Sequence, residues 1–219
     1  MINYKKMLFG FLNIFTYICV PLILTGIIKG FDINNTWFFN ILNIISSLIV
    51  TGVLLIINKK ILKSKFKDFK NNKKEYVSLA IKYYICGLLL MVITTNILSL
   101  FTNGALPLNE EANRELIKIM PLYMIISTTI VAPISEELAF RGSFKDVFNN
   151  KIAYSIFTAF IFGFFHVVFM GDYINIIPYA AFGFFLGFTY YETDNILVTM
   201  SIHSFHNLFC LLVILGGTL

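Results

Sequence analysis

Apolar positions along this chain gather into long blocks separated by short polar connections. The blocks run roughly from Met7 to Ile28, Trp37 to Ile57, Val77 to Leu100, Ile119 to Phe140, Ile152 to Met170, Tyr173 to Tyr190 and Ile196 to Leu215. Each approaches the ~20 residues with which an α-helix crosses a bilayer. The pattern predicts an all-α, polytopic transmembrane helical bundle of about seven spans, six to eight if one boundary is misplaced.

The connections add detail. Between the first two spans, Gly30, Asp32, Asn34 and Asn35 interrupt the pattern within Lys29 to Thr36 and favour a turn. Asn58 to Lys74 is rich in lysine and reads as an amphipathic helix on an anionic leaflet or as a solvated loop, with surface contact favoured because a polybasic stretch is attracted by about 1 kcal/mol per charge. Thr102 to Lys118 carries Asn109, Glu110, Glu111, Arg114 and Glu115 after Pro107, a spacing that predicts a short exposed helix. Gly183 and Gly187, four apart in the sixth span, suit close helix packing within the chain.

Composition excludes an ordinary soluble domain: 58% of the 219 residues are apolar, 13% are charged, and 24 Phe stand beside 11 Tyr. The net charge of +5 does not indicate nucleic acid, because the excess sits in one connection, Lys59 to Lys74. Placing that connection in the cytoplasm also puts Lys5, Lys6, Arg141, Lys145 and Lys151 inside and leaves Lys29, Arg114 and Lys118 outside, as the positive-inside rule requires. The N-terminal block is too long for a signal peptide, lacks a small-residue cleavage site and reads as a retained first span. Cys19, Cys86 and Cys210 show neither CxxC spacing nor an even count and read as packed thiols. No internal repeat divides residues 1–219, which read as a single integral membrane domain. The Lys, Ile, Asn and Phe bias is that of a low-GC bacterium, so the expected location is a bacterial cell membrane.

Candidate chemistry is confined to residues 119–210. An ionisable group costs about 2.5–3.5 kcal/mol at the centre of a membrane helix, yet three clusters of polar groups lie in apolar sequence: Glu136-Glu137-xxx-Arg141, Phe162-xxx-His166 and His203-xxx-Asn207. Glu137 and Arg141 share a helix face, whereas Glu136 is rotated by about 100°. His203 and Asn207 also share a face, with His206 on a neighbouring one. Singly, the clusters read as a boundary ion pair, a histidine bonded to a backbone carbonyl and a polar packing seam. Together they hold all 3 histidines of the chain and suit hydrolysis: a carboxylate and an imidazole deprotonate water, and further donors hold the oxyanion.

The ordered motifs EExxxR, FxxxH and HxxxN resemble the CAAX prenyl protease and bacteriocin-processing (CPBP, or Abi) intramembrane protease family. The resemblance covers residues 133–207 and implies a peptide-bond hydrolase with an intramembrane cavity open to the cytosol. It implies that Glu136 with His166 activates water, that His203 with Asn207 binds the oxyanion, and that Glu137 and Arg141 hold the geometry by pairing. Phe162, one turn before His166, reads as packing. The family is also described as a metalloprotease, in which case Glu136, His166 and His203 would be the ligands of a divalent metal such as zinc. Asn207, a good amide donor and a poor zinc ligand, favours the metal-free form. The implied partners are the lipid bilayer and a membrane-associated or lipidated peptide or protein, in CAAX-type or bacteriocin- and pheromone-type processing, with no nucleic acid. Two other classes fit the same residues: a non-catalytic scaffold or self-immunity protein, and a proton-coupled transporter. One geometric demand remains. With a rise of 1.5 Å per residue, the drawn spans place Glu136 near the inner boundary and His203 and His166 deeper, so the fourth span must extend further inward or the fifth must begin later.

Overall fold

The computed structural model describes residues 4–29 and 36–217. Among them every regular element is helical: α1 (Tyr4–Lys29), α2 (Thr36–Asn71), α3 (Lys73–Ser99), α4 (Leu108–Ile119), α5 (Pro121–Ile126), α6 (Ala132–Glu136), α7 (Lys151–Val167), α8 (Ile176–Thr193) and α9 (Ile196–Gly216). Two π turns, Ser127–Val131 and Glu137–Gly142, carry α5 and α6 into one continuous rod. Hydrocarbon offers backbone N–H and C=O groups no partner, so a spanning segment must satisfy them internally. Among the described residues, six stretches are long and apolar enough to cross a membrane: Asn40–Asn71, Lys73–Ser99, Pro121–Val147, Lys151–Met170, Tyr173–Thr193 and Ile196–Gly216, with Leu8–Leu24 as a shorter apolar stretch of α1. The chain is a multi-pass membrane protein built as a polytopic helical bundle. The turn expected at residues 30–35, and the side chains of Lys5 and Lys6, lie outside the described residues.

The lysine-rich connection is helical, one of the two forms expected of it, but it is not a separate element. α2 does not stop near Ile57 but continues to Asn71, and α3 starts at Lys73, so the lysines ride on the tip of a long helical hairpin. Side chains tie that tip to the bundle. Asp68 accepts hydrogen bonds from the Tyr76 hydroxyl (2.7 Å), Asn72 (2.8 Å) and the Asn195 side chain (2.9 Å), and Asn195 caps α9. Asp194 bridges Lys65 (2.7 Å) and Lys145 (3.1 Å), while Lys151 pairs with Glu192. These contacts define a basic end of the bundle.

The opposite end carries α4. Glu110 and Glu111 lie in its first turn and Lys118 in its last, matching the helix dipole. The i,i+4 pair Arg114–Glu110 (2.9 Å) and the i,i+3 pair Lys118–Glu115 (2.7 Å) form as the spacing predicts. The Leu108 backbone N–H donates to Asp172, 2.9 Å away, which pins the start of α4 beside the α7–α8 connection.

Apolar packing locates the core. Toward the basic end, Leu54, Leu138, Tyr154 and Ile196 are at most 2% exposed and pack with Val50, Tyr190 and Met200. α7 and α8 meet at Gly183 and Gly187, where a methyl group on Gly187 would stand 2.5 Å from Thr158 Oγ1. The glycine pair thus serves contact within the chain, as its spacing suggested. Apolar side chains on the outer faces of α2 and α3, such as Leu48, Ile56, Ile81 and Ile93, remain exposed and form the lipid-facing surface.

Candidate active site

The depth demand is met by the fourth span, which the apolar pattern ended at Phe140 and which runs on to Val147. Glu136 therefore sits inside the bundle and within reach of His203, while α7 begins at Lys151, next to the expected Ile152. The π turn starting at Glu137 follows directly. Such turns insert a residue into the helical register and recur at functional sites.

Glu137, Arg141 and His203 form one buried chain. Glu137 and Arg141 are fully buried, and Arg141 Nη1 donates to Glu137 Oε1 at 2.9 Å. His203 Nδ1 lies 3.0 Å from the same oxygen. A carboxylate accepts, so Nδ1 carries the proton and Nε2 is turned the other way. The guanidinium also reaches the Gly183 carbonyl (3.4 Å) and lies 4.3 Å above the Phe162 ring. A Cβ at Gly183 would come within 3.0 Å of that ring and 3.3 Å of Arg141 Nη2, so the absent side chain makes room for the cation. Phe162 packs as expected, with Arg141 over its ring, His166 4.3 Å away and His203 at 5.4 Å between centroids.

Glu136 is left differently. Its Oε2 is 3.9 Å from His203 Nε2, beyond hydrogen-bond length, and this buried oxygen has no protein partner. His166 Nδ1 donates to the Phe162 carbonyl at 2.8 Å, the bland role open to a lone histidine, but this bond also fixes the tautomer and presents Nε2 elsewhere. The imidazole stacks on Tyr179 at 4.6 Å. Asn207 spends one amide N–H on the Thr128 carbonyl at 2.8 Å, within the first π turn, and an amide has a second. His206 is stacked on Phe182 at 4.0 Å, with Cys210 Sγ 3.6 Å from its Nε2, and lines the same cavity as His166 and Asn207.

Two cavities meet at Glu136. One, of about 460 Å³, is lined by Glu136, His166, His203, Asn207, Tyr17 and Tyr179. The other, of about 370 Å³, lies between α1, α2 and the α5–α6 rod and shares Glu136 and Tyr17 with the first. The three motifs thus converge on one space, with Glu137 and Arg141 in its supporting wall. Among the described residues, no three His, Cys, Asp or Glu side chains gather closely enough to hold a metal ion, so Glu136, His166 and His203 do not form a preset ligand triangle. Tyr17, Thr128 and Tyr179 were not singled out from the sequence. In a chain with 24 Phe and 11 Tyr an aromatic residue is no signal, and Thr128 acts through its backbone carbonyl, which the side chain does not reveal.

Residues 118–209 match a family model described as type II CAAX prenyl endopeptidase Rce1-like. Across these residues the chain is similar to the Rce1-like family. All three motifs lie inside that match. Over 202 residues the chain is 32% identical to a protein of Mycoplasma capricolum, covering 84% of this chain and 58% of that one. Over 180 residues it is 28% identical to YdiL of Bacillus subtilis, which carries the name of a membrane peptidase, covering 78% of this chain and 70% of that one. The chain therefore spans little more than half the length of the first of these relatives. No solved structure matches it.

Proposed function

We propose that this protein is a membrane-embedded endopeptidase of the CAAX type that hydrolyses a peptide bond with a water molecule activated by Glu136. The observation that carries the reading is the division between adjacent carboxylates: Glu137 Oε1 is bonded to Arg141 and His203 within the protein wall, whereas Glu136 makes no such bond and lines both cavities. A scaffold needs the first arrangement and gains nothing from a second carboxylate turned into a cavity.

In this mechanism Glu136 takes a proton from water, and the water oxygen bonds to the scissile carbonyl carbon. The carbonyl oxygen becomes an oxyanion that accepts from the second Asn207 N–H and, when His203 carries both protons, from its Nε2–H. His166, held by Phe162 and Tyr179, faces the same cavity and moves the proton from the carboxyl group to the departing nitrogen. The C–N bond breaks, the amine leaves neutral, and Glu136 is again a carboxylate. Arg141 and Glu137 act through His203 as positioning residues. The substrate class is a membrane-associated peptide or protein, processed as in CAAX-type or bacteriocin- and pheromone-type maturation.

The test compares peptide termini in membranes and medium from cells making the wild type, Glu136→Ala or His166→Ala at equal levels. Termini that need both residues are the expected result. A phenotype that survives both substitutions, with unchanged termini, would replace the enzyme by a scaffold. Purified protein should keep cleaving after a strong chelator is added, because Glu136 itself supplies the base; loss restored by zinc would move Glu136 into a ligand role.

A further inference from the structure

α1 lies outside the residues that match the family model, yet it completes the wall at Glu136. Its sequence divides by face. Leu8, Phe11, Phe15 and Leu22 are more than half exposed, as suits side chains in lipid, whereas Gly10, Asn13, Tyr17 and Pro21, three or four residues apart, fall on the opposite face. That inward face is locked in register at two points. A Cβ at Gly10 would collide with the Ser143 carbonyl just after the second π turn, so the missing side chain lets the helix approach the rod. One turn further, Asn13 is 1% exposed and accepts a hydrogen bond from Asn58 Nδ2 of α2 at 2.9 Å, while Asn58 also donates to the Leu54 carbonyl at 2.8 Å. The next turn brings Tyr17 to the place where the two cavities join. Its ring is held edge-on by Phe140, 4.9 Å between centroids, and by Phe165 at 6.3 Å. A phenylalanine would make the same ring contacts. What the tyrosine adds is a hydroxyl, within electrostatic reach of Glu136.

The residues common to both cavities are Tyr17, Ser127, Ala132, Glu136, Phe165 and Phe169. Of these, Tyr17, Ser127 and Glu136 have polar side chains, and Ser127 stands nine residues before Glu136 on the same rod, about 13 Å along its axis. His166, His203 and Asn207 line only the larger cavity. The donors to the oxyanion and to the departing nitrogen thus lie to one side of Glu136, and Tyr17 is left to act with the base itself. A water has two O–H groups, of which Glu136 accepts one. Its lone pair is aimed at a carbonyl carbon only if the second is held as well, and a phenolic oxygen accepts such a bond while keeping its own proton. We propose that Tyr17 is a further catalytic residue, whose hydroxyl oxygen accepts a hydrogen bond from the water that Glu136 deprotonates. This role rests on the proteolytic reading above. Glu136 takes one proton, the water oxygen bonds to the carbonyl carbon, and the second hydrogen stays on that oxygen in the new carboxyl group. Tyr17 remains protonated throughout.

Purified wild type, Tyr17→Phe, Glu136→Gln and Phe15→Leu are compared on a synthetic peptide spanning a terminus that cells making the wild type produce and cells making Glu136→Ala lack. Tyr17→Phe should lose about 10²-fold in kcat with KM and the unfolding midpoint unchanged, while Phe15→Leu, on the lipid face, cleaves like the wild type. A wild-type kcat in Tyr17→Phe overturns the inference, as does a loss that appears in KM alone or that follows a lowered midpoint. A second readout needs no substrate. In the purified proteins at neutral pH, the carboxylate infrared band that Glu136→Gln removes should shift in Tyr17→Phe, because the water bound between the two groups loses one partner. A shift supports the shared water and an unmoved band overturns it, whether or not the protein cleaves peptides. Absence of any Glu136-dependent terminus would instead count against the protease reading, with the infrared band still deciding whether Tyr17 and Glu136 act on one water.

Discussion

Below Glu137, Leu138, Tyr154, Tyr190, Ile196 and Met200 pack with no more than 7% exposure, whereas at Glu136 the same helices part around two cavities. The boundary between the dense and the hollow region falls between two consecutive glutamates. One carboxylate faces a cation and an imidazole and is consumed by structure. Its neighbour, rotated onto another side of the rod, makes no such bonds and lines both cavities. A helix can separate two roles by a single residue because each step turns the side chain by about 100°.

The comparison is broken most directly at its hollow side. Glu136→Gln should lower cleavage by about 10²–10⁴-fold, the range of general-base catalysis, while unfolding of the detergent-solubilised protein followed by circular dichroism stays at or above the wild-type midpoint. A lower midpoint would mean that Glu136 is structural after all. On the dense side, Arg141→Leu strands the Glu137 carboxylate in the core and should destabilise by about 3–5 kcal/mol. The pair Glu137→Leu with Arg141→Leu should recover much of that stability without recovering cleavage, so the two readouts separate fold from site. Gly183→Ala sharpens the boundary itself. Its methyl group meets Phe162 and Arg141 and should cost about 1–3 kcal/mol through overpacking, with cleavage falling at temperatures well below the unfolding midpoint.

The smallest effect is expected at the basic end. Partial burial pushes the Asp194 carboxyl up, but hydrogen bonds and charge from Lys65 and Lys145 outweigh it and hold the group below its ordinary 3.8. A lowered carboxyl contributes stability above its unfolded-state value and loses it as pH falls through the folded-state value, so any contribution is intact at neutral pH and fades in acid. Asp194 is exposed, and Asp194→Asn should cost less than about 1 kcal/mol at neutral pH. The gap between wild type and variant should close as a pH series of unfolding midpoints descends below 3.8.

Much of the bundle was legible because hydrocarbon demands unbroken apolar runs, and the ends of α7 and α9 fall close to the predicted limits. The continuity of the lysine-rich helix with α2 was not, since charged residues leave no apolar trace and the tip is ordered by Asp68, Asn195 and Tyr76, of which Asn195 is distant in sequence. Within the site, the Glu137–Arg141 pair was legible from its i,i+4 spacing. The true depth of Glu136 was hidden by Arg141 and Ser143, polar residues that made the fourth span look finished while the helix continued into protein contacts. The π turns and the Thr128 carbonyl depend on backbone geometry that no residue type specifies.

The Asp68 junction has a consequence for alignment. α9 starts from a fixed point at Asn195 and carries His203 and Asn207 as a rigid boom, about 12 Å and about 18 Å from that pivot at 1.5 Å per residue. A tilt of about 5° at the pivot displaces the His203 backbone by roughly 1 Å, an error that can cost about 10²-fold in rate. The aim of His203 and Asn207 is thus calibrated at a hinge point beyond the dense core, by three side chains that never enter the cavity.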